Sequence, residues 1–199
     1  MKKIVIINGH PDKESYNRAL SKAYIEGVNN TNASITEINI SELNFNPNLE
    51  FGFRKRTELE PDLVDALNTI KAADHLVWFF PIWWVSYPAI MKGFIDRAFL
   101  PGLTFDFQED NPEEPIGLLK GISAEVFITS DTPEEYDKEI MKQPALHQFK
   151  KGTLEYCGVS PVDVTYISPI SGSTETFRKD WLNKVREFGK NQSNLVVLN

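Results

Sequence analysis

Apolar and polar positions fall in blocks whose period switches between that of a strand and that of a helix. Ile4-Val5-Ile6-Ile7 is a short unbroken apolar run closed by Asn8-Gly9, as expected of a strand covered on both faces. From Tyr16 the period turns helical: Tyr16, Ala19, Leu20, Ala23 and Tyr24 stand at i, i+3, i+4, i+7 and i+8, one buried stripe with Ser15 placed to cap it. Over 35–40, Ile38 and Ile40 alternate with polar neighbours, which predicts a second strand with one face less covered. Pro61 opens a helix with Leu63, Val64, Leu67 and Ile70 inward. Leu76 to Phe80 is a third, continuously apolar strand. Pro88 then opens a helix carrying Ile90, Met91, Phe94, Ile95, Ala98 and Phe99. Strands over 124–129 and 162–167 flank a helix over 145–156 with Leu146, Phe149 and Leu154 inward. The closing helix, 175–189, collects Phe177, Trp181, Val185 and Phe188 on one face. The tail from Asn191 is expected to be loosely held.

Five strands alternating with helices imply a doubly wound α/β domain, a parallel sheet with helices on both faces. Right-handed crossovers leave few topologies. The order 2-1-3-4-5 places a ligand crevice between strands one and three, outside their carboxyl ends. At 199 residues the chain reads as one domain, 1–199, without repeats or linkers. Two stretches exceed the minimal unit. Asn44 to Glu60 is long and contains Phe45, Phe51, Phe53 and the run Arg54-Lys55-Arg56; Phe105 to Pro115 is acidic. Long loops of this kind are usually functional or interfacial.

Both loops at the expected crevice have unusual compositions. After strand three comes Pro81-Ile82-Trp83-Trp84-Val85-Ser86-Tyr87-Pro88. Proline cannot donate to a ladder, so Trp83 and Trp84 fall in the loop beyond it. Two indoles at a sheet's carboxyl edge suit a flat aromatic ligand or, equally, a domain or dimer contact. After strand one, Gly9-His10-Pro11-Asp12-Lys13-Glu14-Ser15-Tyr16-Asn17 leads into a helix, whose first amides and dipole can hold a phosphate. His10, Ser15 and Asn17 can add donors; an ordinary capped turn would look the same. Neither G-x-G-x-x-G nor a P-loop is present.

Composition narrows the partners. A net charge of −7 argues against nucleic acid and anionic membranes. The single cysteine, Cys157, excludes an internal disulfide, fits a reducing compartment and reads as a small buried residue. The apolar run after Met1-Lys2-Lys3 is too short for a signal-peptide core, and no run has the roughly 20 apolar residues of a membrane span, so a cytoplasmic protein is expected. His10, His75 and His147 show no metal-ligand spacing, so no metal site is expected. No nucleophile elbow surrounds Ser15. Lys92 and Asp96 read as an i, i+4 pair.

The loop from Pro81 through Phe99 resembles the flavin-ring loop of the NAD(P)H:quinone reductase family, which has a flavodoxin-like fold and includes the modulator of drug activity B proteins. Asn8-Gly9-His10-Pro11, Ser15-Tyr16-Asn17, Asn44-Phe45-Asn46-Pro47, Gly102-Leu103-Thr104-Phe105 and Tyr156-Cys157-Gly158 extend the resemblance over most of the chain. It implies a flavin held by His10, Ser15, Tyr16 and Asn17 at its phosphate end and by Pro81, Ile82, Trp83 and Trp84 at its ring. It further implies that Thr129, Ser130 and Asp131 turn backbone amides toward the flavin pyrimidine edge, and that Tyr136 donates to the reduced flavin, although an exposed loop tyrosine would look alike. The pattern departs from the family where Asp131-Thr132 replace glycines and Lys142 stands where some members have histidine. An arginine that some members use near adenine has no clear counterpart. FAD is preferred over FMN, with NAD(P)H as co-substrate, a small quinone-like acceptor, ping-pong kinetics, and a homodimer whose partner completes the ring site. Other expectations of the same family are a flavin-binding ancillary protein of potassium-efflux systems and an FMN-dependent azo- or nitroreductase. An FMN electron carrier is disfavoured by the paired tryptophans.

Overall fold

The computed structural model describes residues 1–29, 32–108 and 115–192. Among the described residues, strands and helices follow in the order β1 (Lys2–Asn8), α1 (Tyr16–Val28), β2 (Ala33–Asn39), α2 (Pro61–Lys71), β3 (His75–Pro81), α3 (Ala89–Ala98), β4 (Phe105–Phe107), β5 (Pro115–Gly117) and β6 (Ser123–Thr129). Short α4 (Glu134–Tyr136) runs into a π-helical turn at Asp137–Met141, and α5 (Pro144–Leu146) into a second at His147–Glu155; β7 (Val162–Ile167) and α6 (Glu175–Asn191) complete the chain. The main sheet is parallel, in the order β2-β1-β3-β6-β7. With β6 and β7 as the fourth and fifth sequence-predicted strands, this is the 2-1-3-4-5 topology.

Alternation in β1 divides the core. Val5 and Ile7 face α2 and α3, joined there by Trp78, Phe80, Met91 and Phe94. Ile4 and Ile6 face α1 and α6, with Leu20, Tyr24, Phe79, Phe127 and Val185. β3, between them, is buried along its whole length, which explains its continuous apolar run. On the second face α1 and α6 approach through two glycines. A methyl on Gly27 would overlap the carbonyl of Arg186, and one on Gly189 the carbonyl of Tyr24. The closing helix outruns its predicted end and includes Asn191, where the tail was expected to begin; 193–199 lie outside the described residues.

Three expectations are corrected. Val64 is exposed and Ala66 is buried in its place, because α2 turns the 63, 66, 67, 70 stripe inward. The stretch from Phe105 to Pro115 is not a plain loop: its ends pair as the antiparallel β4–β5 hairpin, while its acidic centre, 109–114, lies outside the described residues. The helix over 145–156 buries Phe149 and Leu154 as expected, but most of it is π-helical and Leu146 is only partly covered.

The Asn44–Glu60 excursion is held to α3 by one buried cation. Arg97 is 1% exposed. It donates to the Asn46 carbonyl, to the Glu58 carbonyl at 3.0 Å and to Glu60 Oε2 at 2.8 Å. The Asn46 amide also donates to Glu60 Oε1 at 3.0 Å. Burial works against the Glu60 charge, but the Asn46 amide and the guanidinium outweigh it and hold the carboxyl below its ordinary range. The expected Lys92–Asp96 pair is formed, at 2.5 and 2.7 Å.

Candidate active site

Strands β1, β3 and β6 deliver three loops to one sheet edge. The Gly9 amide donates to the Phe79 carbonyl at 2.8 Å, locking the β1 loop to β3. Pro81 pairs with Thr129, and the Ile82 amide donates to the Thr129 carbonyl at 2.8 Å, locking the β3 loop to β6. Between them opens a cleft of about 640 Å³, its open mouth included, lined by the first loop (His10, Asp12, Ser15, Tyr16, Asn17), the third-strand loop (Pro81, Ile82, Trp83) and the wall Thr129, Ser130, Asp131 and Ile170. A second cleft, about 730 Å³, lies between Leu49–Leu59 and Leu100–Leu103; it takes no residue from the β1 or β3 loop. The switch-point cleft is therefore the candidate site.

The first loop is a chain of side-chain caps. Asn8 Oδ1 accepts the His10 amide at 2.9 Å, His10 Nδ1 accepts the Asp12 amide at 2.9 Å, and Asp12 Oδ1 accepts the Glu14 amide at 3.0 Å. Ser15 Oγ then accepts the Arg18 amide at 3.3 Å. This leaves the Tyr16 and Asn17 amides, the first two of α1, without a capping acceptor. With Nδ1 engaged, neutral His10 carries its proton on Nε2. Burial pushes its pKa below the usual value, against Asp12. The ring meets Trp83 edge-on, with centroids 5.3 Å apart.

Asn17, 3% exposed, donates from Nδ2 to Thr129 Oγ1 at 2.8 Å, across the cleft floor. Its Oδ1 is buried without a partner. The Tyr16 hydroxyl donates to the Arg178 carbonyl at 2.8 Å, and burial pushes it up to about 12. The wall amides are largely engaged: Ser130 N donates to Ile167 O at 3.1 Å and Thr132 N to Ser130 Oγ at 3.1 Å. Asp131 Oδ1 accepts the Ser171 amide at 2.6 Å, turning it toward the loop after β7.

The cleft gathers ten of the twelve residues singled out in the sequence: His10, Ser15, Tyr16, Asn17, Pro81, Ile82, Trp83, Thr129, Ser130 and Asp131. Trp84 and Tyr136 stand outside it. Trp84 is 98% exposed and Tyr136, on α4, is 52% exposed. Trp84 and Val85 form a two-residue turn closed by Trp83 N to Ser86 O (2.8 Å) and Ser86 N to Trp83 O (3.1 Å), with φ of 51° and 54°. That turn drives the second indole outward. Asp12 and Ile170 also line the cleft and were not singled out in the sequence. Asp12 is legible afterwards as the acid of an Asx turn; Ile170 arrives from beyond β7 with no local signal. Among the described residues no cluster of His, Cys, Asp and Glu could hold a metal ion, and no helix is long and apolar enough to cross a membrane.

The family profile described as flavodoxin-like fold matches residues 2–188. The chain belongs to this family. It is 25% identical over 219 residues to the mouse (Mus musculus) protein "Ribosyldihydronicotinamide dehydrogenase [quinone]", covering 96% of this chain and 94% of that one. Among solved structures, Smu.1420 from Streptococcus mutans UA159 superposes with a TM-score of 0.84 at 30% identity, over 95% of this chain and 99% of the other. An FMN-dependent NADH-azoreductase from Bacillus anthracis, solved in complex with FMN, shares the fold at a TM-score of 0.79 and 20% identity, over 98% and 100% of the two chains. The resemblance to the NAD(P)H:quinone reductases is borne out, and with it the reading of this family member as an oxidoreductase.

Proposed function

We propose that the chain is a flavin-dependent NAD(P)H oxidoreductase that reduces a small quinone-like acceptor. The observation that carries this is the pairing, in one cleft, of an open helix amino terminus with an indole: Tyr16 and Asn17 amides at one end, Trp83 at the other. A flavin nucleotide has the matching parts. Its phosphate suits the amides, the Ser15 hydroxyl and His10 Nε2–H. Its ribityl hydroxyls can donate to the orphan Asn17 Oδ1, which otherwise leaves a buried acceptor unmet. Its ring suits the Pro81–Trp83 floor. When bound, a flavin supplies two-electron transfer between nicotinamide and acceptor.

The chain's own groups hold and shape. Asn17 and Thr129 fix the floor, Trp83 sets the ring plane, and Asp131, tied to Ser171, keeps the wall in place. A nicotinamide and a quinone using the same face in turn gives ping-pong kinetics. FAD is preferred over FMN because Asn44-Phe45-Asn46-Pro47 resembles the FAD-binding branch of the family. A homodimer is proposed from the apolar side chains left exposed on the chain: Trp84 at 98%, Phe53 at 84% and Phe107 at 50%. The cytoplasm remains the proposed location, on the grounds of the lone buried Cys157.

Purified protein should be yellow. Denaturation should release FAD, and the holoprotein should oxidise NAD(P)H with a quinone in steady state without any partner. A colourless chain that takes up neither FAD nor FMN overturns the reading. A flavin protein that turns over only with a partner protein would instead be an ancillary subunit.

A further inference from the structure

The loop that carries Trp83 is held from outside the cleft, by an element the proposed chemistry leaves unused. Beyond β3 the chain makes a tight turn, Trp83 to Ser86, closed by main-chain hydrogen bonds of 2.8 and 3.1 Å. Its two central residues, Trp84 and Val85, both hold positive φ. Bulky side chains keep that conformation only where the surroundings over-determine it. The end of the turn is held by the π-helical segment His147–Glu155. The Ser86 hydroxyl donates to Gln148 Oε1 at 3.1 Å, across 62 positions of sequence. The next residue, Tyr87, is buried and meets the Phe149 ring edge-on, with centroids 5.7 Å apart.

Gln148 has a firm base. Its carbonyl accepts the Thr153 hydroxyl at 3.1 Å, five residues on, the spacing of a π-helix, a geometry that recurs at functional sites. Phe149 beside it is fully buried, with its ring 5.0 Å from those of both Trp78 and Phe80. The Gln148 side chain itself is exposed and does not line the cleft. From Ser86, however, the contacts run inward. Ser86 pairs with Trp83 through both main-chain groups, and the Trp83 indole meets His10 edge-on at 5.3 Å. Gln148 therefore reaches the site through Ser86 and Trp83.

We propose that Gln148 is a positioning residue for the acceptor: its amide oxygen latches the Ser86 hydroxyl and so sets where the Trp83 indole stands at the ring end of the cleft. The proposal rests on the oxidoreductase reading for its effect on turnover. A small flat quinone has little besides its own ring to be held by, so its binding follows the indole. NAD(P)H carries a large nucleotide portion away from the reacting ring, and binding by such remote parts is insensitive to the indole. Loss of the latch is therefore felt by the acceptor more than by the nicotinamide.

Two measurements test this. In the flavin-free protein, the ring current of Trp83 displaces the His10 ring-proton resonances, and Trp83→Ala gives their undisplaced positions. Gln148→Ala and Ser86→Ala should each move them part of the way there, with the melting temperature retained. The double variant should move them no further than either single one, because both remove the same hydrogen bond. Gln148→Glu keeps an acceptor for the Ser86 hydroxyl and should leave them in place. Resonances that stay put in Gln148→Ala, or that move as far in Gln148→Glu, overturn the proposal. In the flavin-loaded protein, Gln148→Ala should raise KM for benzoquinone about 2- to 10-fold, the weight of one neutral hydrogen bond, with smaller changes in kcat and in KM for NAD(P)H, and Gln148→Glu should restore it. Equal rises in the two KM values, or none, overturn this proposal alone, whereas a chain that binds no flavin overturns the oxidoreductase reading and the role toward an acceptor with it.

Discussion

Asn17 and Thr129 are 112 positions apart in sequence and 2.8 Å apart in the fold, Nδ2 to Oγ1. Their hydrogen bond ties the first turn of α1 to the end of β6 beneath the cleft, and it fixes the Asn17 amide so that Oδ1 has no protein partner. Such an acceptor gains a net 0.5–1.5 kcal/mol, roughly, from one neutral donor. Asn17→Ala should therefore weaken flavin binding about 2- to 10-fold by titration calorimetry. The loss should grow in the double variant with His10→Ala, with far-ultraviolet circular dichroism unchanged. Undiminished affinity in the double variant would mean that the loop is merely a turn.

The two indoles should behave differently. Trp83 lines the cleft against His10, whereas Trp84 stands in solvent. Neither belongs to the buried core, so neither alanine variant should lose more than about 0.5 kcal/mol of monomer stability. Trp83→Ala should reduce quinone turnover, up to roughly 100-fold if the reacting atoms are misplaced. Trp84→Ala should first weaken the proposed dimer. Sedimentation and turnover per flavin, measured on both variants, separate the roles; a Trp83→Ala monomer with normal turnover would reverse the assignment.

Val85 holds φ at 54°, beside Trp84 at 51°. A β-branched residue there is a true backbone outlier, costing about 1–3 kcal/mol. Asn-Gly would be the ordinary choice for a turn with both central residues at positive φ. Val85→Gly should raise stability by roughly 1 kcal/mol, a melting shift of about 2–4 °C at this length. The loosened turn should also hold Trp83 less firmly, raising KM for the acceptor. A lower melting temperature would show that the Val85 side chain contributes more than its backbone costs.

Much of this was legible in the chain. The unbroken runs at 4–7 and 76–80 marked the central strands, and their loops carried most of the cleft residues, because a switch-point site is built from sequence-local strand ends. What the sequence could not give was orientation. Trp83 and Trp84 are neighbours of one kind, and only the positive-φ turn sends one inward and the other out. Tyr136 falls outside the cleft because α4 carries it to the surface. The wall amides expected to face the flavin are occupied by Ile167 and Ser130, a consequence of how the β7 loop packs rather than of residue type.

Arg97 is buried and Glu60 partly exposed, and the pair fixes the 44–60 excursion to α3. Removing the guanidinium leaves the Asn46 and Glu58 carbonyls without their donor, a loss of about 1–3 kcal/mol, so Arg97→Ala should unfold early in urea and loosen the excursion to proteolysis. The pH sign follows from Glu60. Its folded pKa is depressed, so its contribution is complete above the unfolded value of about 4.3 and is lost as pH falls through the lower folded value. Wild-type stability should drop across that acid window, and Glu60→Gln should be weaker at neutral pH but flatter below it. Parallel acid curves for the two proteins would remove Glu60 from the account.

His10 gives the complementary test at the site itself. Burial lowers its folded pKa, so the neutral ring is favoured. Its contribution to stability is complete above the unfolded value of about 6.5 and declines as pH falls below that toward the folded value. A phosphate beside Nε2 reverses the balance, because an anion favours the imidazolium. Histidine NMR should therefore show His10 titrating below 6.5 in the free protein and moving upward once flavin nucleotide is bound. Linkage then requires flavin affinity to strengthen on mild acidification, while His10→Gln binds with no such slope. If riboflavin, which lacks the phosphate, shifts His10 as far as the nucleotides do, the ring faces some other part of the ligand and the first loop is not the phosphate end.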